Sequence, residues 1–242
     1  PFFNSDRNGL WVGYQWLTGK NVRTGLSVPI DETNQFLRLI RDEGIRYVFV
    51  RAGPILPNGE IVHLPGEYFH ELQKRSPDTI FLPWLTGDSE TFDLSNPTWR
   101  RAFIDQLQQL KAQGIPGIHL NIEPVLDNNS SYILLLGEMR VALGDSFFLS
   151  HATKPTGRWT KLLGIGKGRL WSEGFYKETM QYTDQIVLMA YNTRLNHELP
   201  YRLFVNQQTA LLVKWACGLL QNRVLIGIPA YEHVPHYSDP DT

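Results

Sequence analysis

The chain of 242 residues has a single cysteine, Cys217. One thiol excludes an internal disulfide and a cysteine-rich zinc site, and it does not choose a compartment. Cys217 sits in an apolar helical pattern, which predicts a buried structural thiol rather than a nucleophile. Excess charge is lacking too. The formal net charge is -1 with both signs interspersed, so there is no electrostatic footprint for nucleic acid or an acidic membrane surface. Long apolar runs are absent. The stretches "ILLLG" and "ALLVKWACGLL" are too short or too broken to span a bilayer. There is no His-x-His or His-Glu-x-x-His spacing, which argues against a metal site. The first predicted strand is not followed by G-x-G-x-x-G, and the lone "GIGKG" at 164–168 reads as a surface loop. No cofactor is therefore expected. The chain begins at Pro1 without an initiator Met or a signal peptide, as a processed product would.

What is present is a recurring alternation. Hydrophobic residues make up 42% of the chain, enough for a sizeable core. Short apolar runs at 9–17, 45–53, 79–87, 117–124, 146–153, 185–192 and 224–232 read as strands covered on both faces. Helical patterns lie between them. Asn96 followed by Pro97 predicts an N-cap and a first-turn proline, with Trp99, Phe103, Leu107 and Leu110 at helical spacing before Gly114. Phe36, Leu37 and Ile40 form a second stripe after Asp31. Stretches 172–183 and 209–220 are compatible with helix, and 54–78 reads as mostly loop. No linker divides the chain, so a single domain over residues 1–242 is expected.

Strands alternating with helices predict a parallel α/β fold, and a (β/α)8 barrel fits better than a doubly wound sheet. Polar residues gather at the carboxyl ends of the strands: Arg51, Asp88, Glu123, His151, Asn192 and Glu232. Barrel active sites lie there. Only "HVPHYSDPDT" follows Glu232, so the eighth strand is expected to be missing or truncated.

The fourth run, "GIPGIHLNIEPV", carries the chemistry. His119, Asn121 and Glu123 alternate through it, and alternate residues of a strand share a face. A partly buried Glu123 at the strand's mouth would have its pKa raised by desolvation, which suits a general acid. Asn121 offers an amide that both donates and accepts. His119 either holds Asn121 or fills the interior. The seven Trp, ten Tyr and twelve Phe exceed what a core needs. Trp16, Trp84, Tyr14 and Tyr231 near strand ends are candidates for stacking on sugar rings.

"GIPGIHLNIEP" resembles the fourth-strand signature of glycoside hydrolase family 18, Asp-Gly-x-Asp-x-Asp-x-Glu. Glu123 takes the place of the catalytic acid, Asn121 that of the last Asp, His119 the middle Asp and Pro116 the first. "LMAYN" resembles the sixth-strand Met-x-Tyr-Asp through Met189, Tyr191 and Asn192. "IGIPAYE" resembles the seventh-strand Gly-x-Pro-x-Tyr. The resemblance implies a hydrolase of N-acetylhexosamine-containing glycans in which the substrate's own acetamide is the nucleophile. Glu123 would be the acid/base, Asn121 the acetamide orienter and Tyr191 its hydrogen-bond partner. His119, Asn192, Trp16, Trp84, Tyr231 and Glu232 would contact the oligosaccharide. The resemblance favours a secreted or extracytoplasmic location and says nothing of oligomeric state. An Asn in place of the last Asp departs from family 18, although it is similar to the Asn-x-Glu pair of family 85. Two alternatives stay open: a two-carboxylate retaining glycosidase using Glu123 and Glu232, and a non-catalytic chitinase-like lectin.

Overall fold

The computed structural model describes residues 7–156, 170–191, 193, 195, 197–216 and 223–228. Seven parallel strands follow one another in the sheet in chain order: β1 (Asn8–Val12), β2 (Ile45–Pro54), β3 (Ile80–Asp88), β4 (Gly117–Glu123), β5 (Phe148–Thr153), β6 (Gln185–Met189) and β7 (Val224–Gly227). Helices α2 (Ile30–Asp42), α3 (Glu67–Arg75), α4 (Pro97–Ala112), α5 (Ser130–Leu143), α6 (Glu173–Tyr182) and α7 (Glu198–Ala216) alternate with them, and a one-turn helix α1 (Gln15–Thr18) follows β1. The sheet curls into a nearly closed (β/α) barrel that corresponds to a (β/α)8 barrel without its eighth strand among the described residues.

Two-residue alternation divides the apolar side chains into two cores. Val48, Val50, Phe81, Leu85, Ile118, Leu120, Ile122, Ile186 and Leu188 face outward and pack with the helices. Tyr47, Phe49, Leu82 and Val187 face inward, with Trp11, Ile80, Trp84, Phe148 and Leu225 against them. Each fully buried large side chain contributes roughly 1.5–3 kcal/mol. Where β1 and β7 approach, glycines make room for large side chains. A Cβ on Gly227 would lie 2.6 Å from the Trp11 ring, and one on Gly9 would lie 3.0 Å from Phe49 and 3.1 Å from Leu225.

Local chemistry accounts for the helices. The Asn96 side chain accepts from the Thr98 backbone N–H at 2.9 Å, with Pro97 in the first turn, and Trp99, Phe103, Leu107 and Leu110 are buried. Asn129 caps α5 by accepting from the Tyr132 N–H at 3.0 Å. Below the strands' amino ends, Arg140 of α5 donates to the carbonyls of Tyr182, Gly144 and Phe147 and pairs with Asp184 at 2.7 Å. Asp184 also accepts from the Leu149 N–H at 2.8 Å and faces Arg223 at 3.3 Å. One carboxylate thus ties the starts of β5, β6 and β7.

The structure corrects several expectations. The run at 9–17 is a strand only to Val12, because the chain turns at Gly13 into α1 and leaves it through Gly19 in the left-handed region, φ 70°. The stretch 54–78 contains α3, whose Phe69 and Leu72 are fully buried. Helix α7 begins at Glu198, well before Thr209. Helix α5 has no counterpart in the sequence reading. Its Ile133, Leu134, Leu135 and Leu136 are consecutive, so they mask the helical period. Cys217 and the glycine-rich run at 164–168 lie outside the described residues.

Gly117 opens β4 against β5, where an added Cβ would come within 2.1 Å of the Phe148 carbonyl oxygen. Backbone is the obstacle, so no rotamer relieves it. Gly117→Ala is expected to lose about 1–3 kcal/mol or more of stability, read as a lower urea midpoint; an unchanged midpoint would refute this account of the β4–β5 approach.

Candidate functional site

The inward residues of β4 are Gly117, His119, Asn121 and Glu123, since Ile118, Leu120 and Ile122 belong to the outer core. Parallel register sets their neighbours. Trp84 lies beside His119, Thr86 beside Asn121 and Asp88 beside Glu123 on β3. Arg51 of β2 lies beside Trp84 in turn. Glu123 is the last residue of β4 and is partly buried. Its carbonyl accepts from the Ser89 N–H at 3.0 Å, while the Ser89 hydroxyl donates to the Pro124 carbonyl. The loop after β3 is thereby pinned to the mouth of β4.

His119 is at the centre of the interior and fully buried. Its ring lies 4.2 Å from Phe49 and 5.8 Å from Trp11 between centroids. Nδ1 is 2.8 Å from the Ser150 hydroxyl on β5, which donates to Gln185 Oε1 on β6 at 2.9 Å. Six buried polar atoms among the described residues have no hydrogen-bond partner: His119 Nε2, Asn121 Oδ1, Trp84 Nε1 and Gln185 Nε2, with His151 Nε2 and Thr153 Oγ1. The first four belong to inward-facing residues of β3, β4 and β6, and the last two to outward positions of β5. Buried groups left unpaired cost about 1–3 kcal/mol each, so the four inward atoms mark the barrel interior as a candidate site for a polar group.

Among the other expected residues, Tyr191 follows β6 and meets Trp11 edge-on at 6.3 Å. Trp84 is partly buried and 6.5 Å from Trp11. Tyr14 contacts His63 edge-on at 4.4 Å, on the side where β1 ends. The structure does not bring Trp16 to this group. It is 7% exposed and stacks on Phe36 of α2 at 3.9 Å, in the outer core. His151 also points the other way, under the helices, with Nδ1 3.2 Å from the Tyr132 hydroxyl and its ring stacked on Trp171. Asn192, Tyr231 and Glu232 lie outside the described residues. Trp11, Ser150 and Gln185 were not singled out from the sequence. Counting inward positions back from the end of β1 would have selected Trp11 over Trp16. Among the described residues no group of three His, Cys, Asp or Glu side chains is placed to hold a metal ion, and no helix is long and apolar enough to cross a membrane.

A pocket of about 380 Å³ adjoins the mouth between the loops after β3 and β4, lined by Ser89, Glu90, Asp93, Pro124, Leu126 and Asn129. Burial shapes the titration of the two interior histidines. It holds His119 well below the usual imidazole range, with His151 adding repulsion, and it lowers His151 to about 3.

No protein-family profile matches the chain, and no curated protein matches it. Solved structures do. The chain is similar to the spore cortex-lytic enzyme SleL of Bacillus cereus, with a TM-score of 0.62 and 15% identity over 92% of this chain and 50% of that one. It is similar to the chitinase domain of the spore coat protein CotE of Clostridium difficile, with a TM-score of 0.62 and 17% identity over 94% and 66%. A chitinase from Chromobacterium violaceum gives a TM-score of 0.64 and 11% identity over 93% and 69%. The chain spans half the length of the cortex-lytic enzyme it matches. At these identities the likeness is one of fold.

The histidines predict an acid-sensitive fold. Both are held neutral in the folded protein, whereas the unfolded chain binds a proton at each near pH 6.5. The unfolded state therefore binds more protons below that pH. Stability is fully present above about pH 6.5 and falls as pH drops toward 3, by up to ~1.4 kcal/mol per pH unit for each histidine. Urea titrations at stepped pH should show this decline, and His151→Gln should flatten it. A parent midpoint independent of pH through this window would refute the assignment.

Proposed function

We propose that the chain is a glycoside hydrolase domain acting on N-acetylhexosamine-containing glycans, with residues 1–242 forming one barrel. The reading is carried by the inward-facing His119, Asn121 and Glu123 at the carboxyl end of β4, where barrel enzymes hold their catalytic groups. The fold likeness to two chitinases and a cortex-lytic enzyme supports it, as does the motif resemblance in β4 and after β6.

Glu123 is the acid/base in this reading. It protonates the glycosidic oxygen as that bond breaks. The acetamide carbonyl oxygen attacks the anomeric carbon from the opposite side, giving an oxazolinium ion. Glu123, now a carboxylate, takes a proton from water as the water opens that ion and restores the configuration. Asn121 orients the acetamide, and Tyr191 hydrogen-bonds its carbonyl oxygen. An amide lacks the full charge of a carboxylate, so stabilisation of the positive intermediate rests more on orientation than on ion pairing. Trp84, with a buried indole N–H that has no partner beside His119, supplies a donor to the same ligand. Trp11, packed edge-on against Tyr191, sets that side of the floor.

Glu123→Gln is nearly isosteric and removes only the transferable proton. It is expected to keep the fold and glycan binding and to lose ~10²–10⁴-fold in turnover. Parent-like turnover in this variant would move the acid role to another residue, with Glu232 the first to test.

Asn121→Ala is expected to abolish most cleavage of chitooligosaccharides, read by mass spectrometry, while the parent leaves oligosaccharides without N-acetyl groups intact. Equal cleavage of both sugar classes by the parent would show that the acetamide is not the nucleophile. Binding without cleavage across the panel would indicate a lectin.

A further inference from the structure

The arginines most enclosed by this fold are paired. Arg100 of α4 is met by Glu138 and by the carbonyls of Leu94 and Ser95. Arg140 of α5 is met by Asp184 and by three carbonyls. Arg51 of β2 breaks the pattern. It is partly buried, and it makes no hydrogen bond or ion pair among the described residues. Tyr47 and Phe49 share its parity and face inward, so Arg51 points into the barrel. The strand is irregular just beyond it. Arg51 pairs with Trp84 while Gly53 pairs with Leu85, which makes Ala52 an extra residue, and Gly53 takes φ 97°. A bulge of this kind re-aims the side chain beside it. On the neighbouring strand, Trp84 carries a buried indole N–H that also lacks a partner. Guanidinium and indole are donors only, whatever the tautomers and amide orientations around them. The inward carboxylates Asp88 and Glu123 stand further toward the mouth, and neither pairs with Arg51.

We propose that Arg51 and Trp84 form an anion subsite that takes a carboxylate carried by the glycan, so that the preferred substrates are N-acetylhexosamine glycans with acidic sugars. The substrate class rests on the glycosidase reading; the anion subsite does not. A guanidinium fork matches the two oxygens of a carboxylate, and the indole N–H adds a donor on the same inward face. A neutral hydroxyl would satisfy the indole and leave the arginine charge unmet. A phosphate dianion would bring a second negative charge with one cation to meet it, and Asp88 and Glu123 would repel it from the mouth. A planar group with one negative charge is what the pair fits. Register sets the subsite beside the residues assigned to the chemistry: Trp84 pairs with His119, and Asn121 and Glu123 follow on that face of β4. The carboxylate therefore belongs to the sugar whose acetamide meets Asn121, or to one adjoining it. Lactyl ethers and uronic acids both present such a group.

Calorimetric titration of the full chain with matched tetrasaccharides tests this. The probes are chitotetraose, which is neutral; the alternating N-acetylglucosamine and N-acetylmuramic acid tetrasaccharide, with lactyl carboxylates; a hyaluronan tetrasaccharide, with uronic carboxylates; and the two acidic probes after amidation of their carboxyl groups. At least one acidic probe should bind about tenfold or more tighter than its own amide and than chitotetraose. Which acid is preferred identifies the source of the carboxylate. Arg51→Gln should abolish the preference for acid over amide. Arg51→Lys keeps the charge and loses the fork, so it should retain only part of it. Trp84→Phe keeps a ring and deletes the N–H, and should reduce the preference; an unchanged preference would remove the indole from the subsite. Equal binding of acid and amide by the parent overturns the proposal, and this comparison needs no variant to fold. A preference that survives in folded Arg51→Gln overturns it as well. Mass spectrometry of the same mixtures separates the two readings. An Arg51-dependent acid preference in a parent that cleaves nothing would refute the hydrolase and uphold the subsite. Cleavage of chitotetraose without any acid preference would do the reverse.

Discussion

The structure depends on fitting large side chains where the two ends of the described sheet, β1 and β7, approach one another. Trp11 packs into the interior there, and it can do so only because Gly227 and Gly9 present no Cβ where the Trp11 ring and its neighbours lie. The ring then meets Phe49, Trp84, His119 and Tyr191. One indole therefore couples the closure of the sheet to the floor of the candidate site. Replacing it would open a void of the kind that costs several kcal/mol in a packed core, and it would release the residues the chemistry is assigned to.

Polar groups inside this barrel are handled in two ways. Toward the amino ends of the strands they are saturated, as in the cluster of Arg140, Asp184 and Arg223. Toward the interior and the mouth they are left short, with four buried atoms on Trp84, His119, Asn121 and Gln185 lacking a partner. A fold seeking stability alone would pair such atoms or replace them with apolar groups. Outward on β5, His151 Nε2 and Thr153 Oγ1 are also without partners, so the contrast is between the saturated amino-terminal rim and the rest of the barrel.

Parity made much of this legible. Runs of β-branched and aromatic residues mark the seven described strands, and the alternation in β4 alone puts His119, Asn121 and Glu123 on one face. The cap at Asn96 was readable because it is local. Three things were not. Helix α5 was hidden because four consecutive apolar residues fit any period. Trp16 and His151 were misplaced because proximity to a strand end does not say which face a side chain takes. Ser150 and Gln185 could not be found because their partner lies on another strand, and interstrand register is not written in any one segment.

The Asp184 carboxylate bonds to the backbone of β5 and pairs with side chains of α5 and of the segment just before β7. Those three pieces are separated widely along the chain, so forming the contact carries the loop-closure entropy of long intervening segments. Local opening at the mouth need not disturb it. The barrel's amino-terminal rim is thus held by contacts that the loops at the opposite mouth do not share, and changes in those loops leave them in place.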